Sequence, residues 1–182
     1  MKIGWKLLAG MGVAAAAGLA TLAMAAETPQ HFADADNVDA VLRGKAIYQQ
    51  SCSSCHGRYL EGQALWQLDD QYAGRRAPAH DATGHTWQHA DDDLFFMTKY
   101  GRFPEAPKDL KSYMPAFGPS LTDAQILDVL AFIKSRWPTG IRVSQSMLNP
   151  GLAGMPADAD KVEWTLPPNC TEAFRRWRVI SR

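Results

Sequence analysis

The stretch "SCSSCHGRYL" occupies Ser51 to Leu60 and holds two of the three cysteines in a chain of 182 residues. Cys52 and Cys55 are separated by two residues, and His56 follows the second cysteine directly. Three chemistries use such a group. A disulfide oxidoreductase places C-x-x-C at a helix start beside a βαβ pattern. Here the pair follows a helical pattern, and no strand pattern surrounds it. A structural zinc site needs about four ligands. No second C-x-x-C exists, Cys170 stands alone, and His80, His85 and His89 match no common zinc spacing. The third chemistry is covalent haem attachment, for which C-x-x-C-H is the signature. Cysteines at i and i+3 share one face of a helical turn, so both thiols reach the two vinyl groups of one porphyrin edge. The adjacent imidazole is then carried to the iron as the proximal ligand. This reading uses two thiols as thioethers and leaves Cys170 without an intramolecular partner.

The start of the chain points to export. Lys2 and Lys6 precede an apolar run from Leu7 to Ala23, and Ala23-Met24-Ala25 supplies small residues for cleavage. This is the pattern of a secretory signal peptide. The expected division is a signal peptide at 1–26, a folded domain at 27–138 and a C-terminal extension at 139–182. If the apolar run is left uncleaved, it acts as a membrane anchor instead. Basic and acidic residues balance at 19 each, and removal of the two lysines leaves the mature chain slightly acidic. No basic stripe marks a nucleic-acid binder. The expected location is the periplasm, an oxidising compartment.

Helical signals frame the cysteine segment. Asn37 is a suitable N-cap, and Val38, Val41, Ala46 and Tyr48 fall near helical spacing up to about Cys52. Gly44 inside this helix costs about 1 kcal/mol against alanine, which is tolerable where a second helix must cross closely. Gly57 to Thr86 shows no sustained periodicity and reads as a long loop that wraps something or carries function. Asp91-Asp92-Asp93 opens a second helix ended by Gly101, the three acids being read as a solvated helix start. Arg102 to Pro119 contains four prolines and is not regular structure. Thr122 with Gln125 forms a capping box for a helix running to Trp137, with Ile126, Val129, Leu130, Ile133 and Trp137 on one apolar face. Pro138 ends it. Prolines and glycines interrupt the remainder repeatedly, and a short basic helix is expected from Glu172 to Ile180 with Thr171 as cap.

A second axial ligand separates an electron carrier from an open-site haem enzyme. The candidates are Met97, Met114, Met147, Met155 and the histidines His80, His85 and His89. Met97 lies on a helix face and reads as core filler; Met147 and Met155 lie beyond the last strong helix. Met114 sits in a proline-framed loop. Pro115 restricts it to extended backbone, from which its thioether can project across a pocket. Met114 is therefore the expected sixth ligand.

Taken together, the Gly44-to-Tyr48 helix, Cys52-x-x-Cys55-His56, Met114-Pro115 and the last helix with Val129 and Phe132 resemble the class I c-type cytochromes. The resemblance runs from about Asp34 to Pro138. The stretch "APAHDATGHTWQHADDDL" also looks like bacterial monohaem members. The resemblance implies an all-α cytochrome c fold of three to five helices around one covalent haem c. It implies that a proline carbonyl, here Pro78, receives the proximal imidazole proton. It also implies propionate donors, for which Trp87, Tyr113, Arg75 and Arg76 are the candidates. The implied partners are redox proteins that meet an exposed haem edge near Cys52 and Cys55 through small contacts. Soluble members stop near Pro138, so residues 139–182 fall outside the resemblance; docking to a partner or strapping across the domain are the readings left for them. The expected function is single-electron carriage by His/Met-ligated iron. The alternatives are a cytochrome c subunit of a dehydrogenase or oxidase complex, and a haem peroxidase or sensor with a labile sixth ligand.

Overall fold

The structure is a computed structural model and describes residues 31–68, 76–103, 106 and 112–162. The segment expected to be a signal peptide, Arg75, Cys170 and the basic helix expected at 172–180 lie outside the described residues. Within them the fold is all-α: α1 (Val38–Ser51), α2 (Ser53–His56), α3 (Asp91–Tyr100), α4 (Asp123–Ser135) and α5 (Thr139–Ser146), with short 3₁₀ turns at Thr86–Gln88, Pro150–Leu152 and Ala159–Lys161.

Local signals set most boundaries. The Asn37 side chain accepts from the Ala40 N–H and starts α1. Thr122 and Gln125 complete a reciprocal capping box at α4. Gly101 ends α3 in the left-handed region, with φ 71°, a conformation glycine adopts without steric cost.

α1 and α4 cross at Gly44. A Cβ there would overlap the Asp128 carbonyl of α4, so only glycine admits this approach. Arg43 grips Asp128 beside the crossing with Nε–Oδ2 2.7 Å and Nη2–Oδ1 2.9 Å. The α4 face Ile126, Val129, Leu130, Ile133 and Trp137 is buried, together with Tyr48 of α1 and Phe95 of α3. The rings of Tyr48 and Phe132 lie 5.3 Å apart across the α1–α4 contact.

One expectation is corrected here. The acidic start of α3 is not solvated, because Asp91 is fully buried. Lys134 of α4 places Nζ 2.7 Å from both Asp91 carboxylate oxygens. Gln145 of α5 donates to the same carboxylate at 2.7 Å, and the Ala33 N–H does so at 3.0 Å. A buried carboxylate is tolerable only when paired and hydrogen-bonded in this way. Burial pushes the Lys134 pKa down, and the attraction of Asp91 opposes the shift. Asp92 is likewise engaged, with Oδ1 2.7 Å from His31 Nδ1, and the His31 ring stacks on Phe95 at 3.7 Å.

The chain after Pro138 packs on the same core. It forms the two-turn helix α5, with Val143, Gln145 and Ser146 buried. Asn149 accepts the Asp91 N–H at 2.9 Å. Residues 139–149 thus belong to the same buried network as α3 and α4.

Candidate haem-binding site

α1 ends at Cys52, whose N–H donates to the Tyr48 carbonyl, and α2 carries Ser53 to His56 round the next turn. Gly57, with φ 82°, then redirects the chain. Cys52 is half-buried and Cys55 exposed. Burial, with Cys55 nearby as the lesser cause, pushes the Cys52 thiol up to about 11. A thiol held neutral in this way is a poor redox nucleophile, whose reactive form is the thiolate. Among the described residues, no three His, Cys, Asp or Glu side chains converge as a metal cluster.

His56 is buried, and its Nδ1 lies 2.9 Å from the Pro78 carbonyl oxygen. A carbonyl only accepts, so Nδ1 carries the proton and Nε2 keeps its lone pair for a metal. Burial lowers the His56 pKa, opposed by the Pro78 hydrogen bond; the neutral imidazole is the form that ligates. The Tyr48 hydroxyl lies 2.9 Å from the Gly57 carbonyl and 3.3 Å from that of His56, fixing the backbone on either side of the turn. Two cysteines one turn apart, followed by an oriented imidazole with its outer nitrogen free, are a donor set that fits a c-type haem.

The segment after Pro78 builds a wall beside His56. The His80 ring stacks face to face on that of His56, with centroids 4.0 Å apart and planes within 20°. His80 N–H donates to the Leu60 carbonyl at 2.7 Å, and its own carbonyl accepts from Trp137 Nε1 at 2.7 Å. Its Nδ1 lies 2.7 Å from Thr86 Oγ1. Burial, followed by the neighbouring His56 and His85, holds the His80 pKa well below the ordinary value. Gly84 lies so close to the Ala79 carbonyl that a Cβ would overlap it.

Met114 is half-buried, and its loop is pinned to the C-terminal end of α3. A Cβ at Gly101 would overlap the Met114 carbonyl. Ser112 Oγ donates to the Gly101 carbonyl at 2.7 Å and accepts the Met114 N–H at 3.3 Å. Further along, Phe117 N–H donates to the Thr98 carbonyl and Gly118 N–H to that of Lys99. Of the other methionines, Met97 is half-buried on α3 and Met147 is 63% exposed. The Met155 sulfur lies 3.5 Å from Ser146 Oγ, within hydrogen-bond reach.

The propionate candidates are dispersed. The indole N–H of Trp87 donates to the Gly84 carbonyl at 3.0 Å, and an indole has no second donor. Arg76 gives one N–H to the Ala64 carbonyl at 2.7 Å and keeps others. Tyr113 is exposed, and Arg75 lies outside the described residues. Sequence reasoning did not single out Tyr48, Thr86 and Trp137 as supports of the site. Tyr48 was read only for helical spacing and Trp137 only as core, because the carbonyls they hold become neighbours only after folding.

Comparison with known proteins agrees with this geometry. Residues 39–133 match the family model described as cytochrome C oxidase, cbb3-type, subunit III. No curated protein and no solved structure matches. The matched segment covers just over half of the chain and contains α1 from its second residue, α2, α3, most of α4 and the Met114 loop. The chain belongs to this family of c-type cytochrome domains, whose cofactor is covalently bound haem c and whose work is electron transfer.

Proposed function

We propose that this chain is an exported, periplasmic monohaem cytochrome c that passes single electrons between redox-partner proteins. Cys52 and Cys55 form the thioethers, and His56 and Met114 are the axial ligands. The observation that carries the reading is the His56 Nδ1–Pro78 hydrogen bond, which presents Nε2 beside two cysteines placed to anchor one porphyrin edge. A haem c bound there supplies one-electron exchange between ferrous and ferric iron. The chain's residues hold the imidazole in one tautomer, exclude water from it and fix the loop that brings the thioether.

Local environments support Met114 over its rivals. Met147 faces solvent, and Met155 lies beyond α5 with its sulfur against Ser146 Oγ at 3.5 Å. Two imidazoles ligating one iron from opposite sides point their edges at it, whereas the rings of His80 and His56 lie face to face. Arg75, Arg76 and Tyr113 stay as the proposed propionate donors; Trp87 has its single N–H on Gly84. The test of ligation is the ferric absorption spectrum of the haem-loaded protein and of Met114→Ala. High-spin wild-type iron that binds carbon monoxide or peroxide rapidly would instead favour a peroxidase or sensor. Export is tested by mass measurement on protein from a periplasmic extract, where a mature start near Glu27 is expected.

A second reading, as a cytochrome c subunit of an oxidase or dehydrogenase complex, is favoured by the description of the matched family. Among the described residues no helix is long and apolar enough to cross a membrane, so membrane association would come through the uncleaved leader or the complex. Co-purification of the full chain against one lacking residues 163–182 tests this reading. A truncation at Pro138 would not serve, because it removes Gln145 and Asn149 from the buried network.

A further inference from the structure

We propose that His80 is a positioning residue for the proximal ligand: its ring, stacked on His56, fixes the plane in which that imidazole meets the iron. The proposal rests on His56 being the proximal ligand.

One hydrogen bond from Nδ1 to the Pro78 carbonyl sets the tautomer of His56 and restrains one edge of the ring, but a single hydrogen bond bends easily and leaves the ring some rocking about the bond that joins it to its Cβ. A flat ring lying on its face stops that rocking. Pro78 and His80 are two apart in a stretch without helix, so one segment supplies both the acceptor for the ring edge and the cover for the ring face. His80 is itself immobilised on three sides. Leu60 takes its N–H, Trp137 Nε1 donates to its carbonyl, and Thr86 Oγ1 meets its Nδ1, each at 2.7 Å. Thr86 is buried on the 3₁₀ turn that follows, and Trp137 is buried beyond the end of α4. The orientation of His80 is therefore tied to the core and passed to His56 by contact. A partner that orients a metal-bound histidine in this way tunes the metal without touching it.

The test uses ferric, haem-loaded wild type, His80→Ala and His80→Phe. The readouts are the anisotropy of the low-spin electron paramagnetic resonance signal and the order of the haem methyl proton shifts, both of which follow the ligand plane. His80→Ala should move both, and His80→Phe, which keeps a flat ring, should return them toward wild type. A His80→Ala protein with wild-type anisotropy and methyl order overturns the proposal. So does a His80→Phe protein displaced as far as His80→Ala. If His80→Ala fails to retain haem, Thr86→Val is measured instead, since it keeps the ring but frees its rotation. A smaller displacement in the wild-type-to-variant comparison supports the proposal, and none overturns it. Hyperfine-shifted ring signals of His56 in ¹⁵N-histidine-labelled wild type report separately on the ligand assignment. Their absence overturns that assignment, and this proposal with it.

Discussion

The two sides of the candidate haem site are built differently. His56 is held through its own side chain: Pro78 fixes its edge, His80 covers its face, and the Tyr48 hydroxyl secures the carbonyls at its turn. Met114 is held through its backbone. Gly101 lies against its carbonyl and Ser112 against its N–H, and in the proposed ligation this loop alone places the thioether. A ligand fixed at the side chain keeps its geometry in both oxidation states. A ligand fixed only by its loop is placed by the stability of that loop. The asymmetry predicts that loss of the thioether anchors beside His56 abolishes the cofactor site, whereas damage to the Met114 side alters it.

The largest effect should come from the thioether anchors. Cys52→Ala combined with Cys55→Ala should lose all covalent haem, read by haem staining after denaturing electrophoresis and by intact mass. Staining that persists would remove the attachment site from this segment. Next is Asp91→Asn. It leaves Lys134 buried without its carboxylate, a loss of about 3–5 kcal/mol in chemical denaturation. Because α3 starts at Asp91 and ends at the Gly101 that backs Met114, this variant should weaken both sides together. An unchanged denaturation midpoint would show that the pair does not hold α3.

Gly101→Ala separates the two sides. A left-handed residue given a Cβ that meets the Met114 carbonyl should lose about 1 kcal/mol or more. Exogenous ligands should then displace the thioether more easily, while covalent haem content stays at the wild-type level. Equal loss of haem would erase the proposed asymmetry. Smallest is Tyr48→Phe. Removing one buried hydroxyl should cost about 0.5–1.5 kcal/mol in denaturation, without change in the ferric spectrum. A spectral change there would mean that the backbone turn, as well as the side-chain partners, sets the position of His56.

Much of this arrangement was legible in the sequence wherever the deciding interaction is local. Asn37 and the Thr122–Gln125 pair announced α1 and α4, because a cap acts within one turn. Gly101 announced the end of α3, because its conformation is its own. The cysteine-histidine turn was legible for the same reason. The burial of Asp91 was not, since its partners Lys134 and Gln145 lie 43 and 54 residues away, and an acidic run at a helix start looks solvated without them. α5 escaped notice because it is only eight residues long, starts after a proline and has Gly140 near its start, too short a run for a periodic pattern to stand out. The stacking of His80 on His56 joins residues that share no pattern, so only the folded chain displays it.

The central claim is that one iron is held between His56 and Met114. The most direct measurement is the far-red methionine–iron charge-transfer band of the ferric, haem-loaded protein, recorded for wild type and for Met114→Ala. The account predicts a band in the wild type that disappears in the variant while covalent haem is retained. A wild type without the band, or a variant that keeps it, would contradict the account.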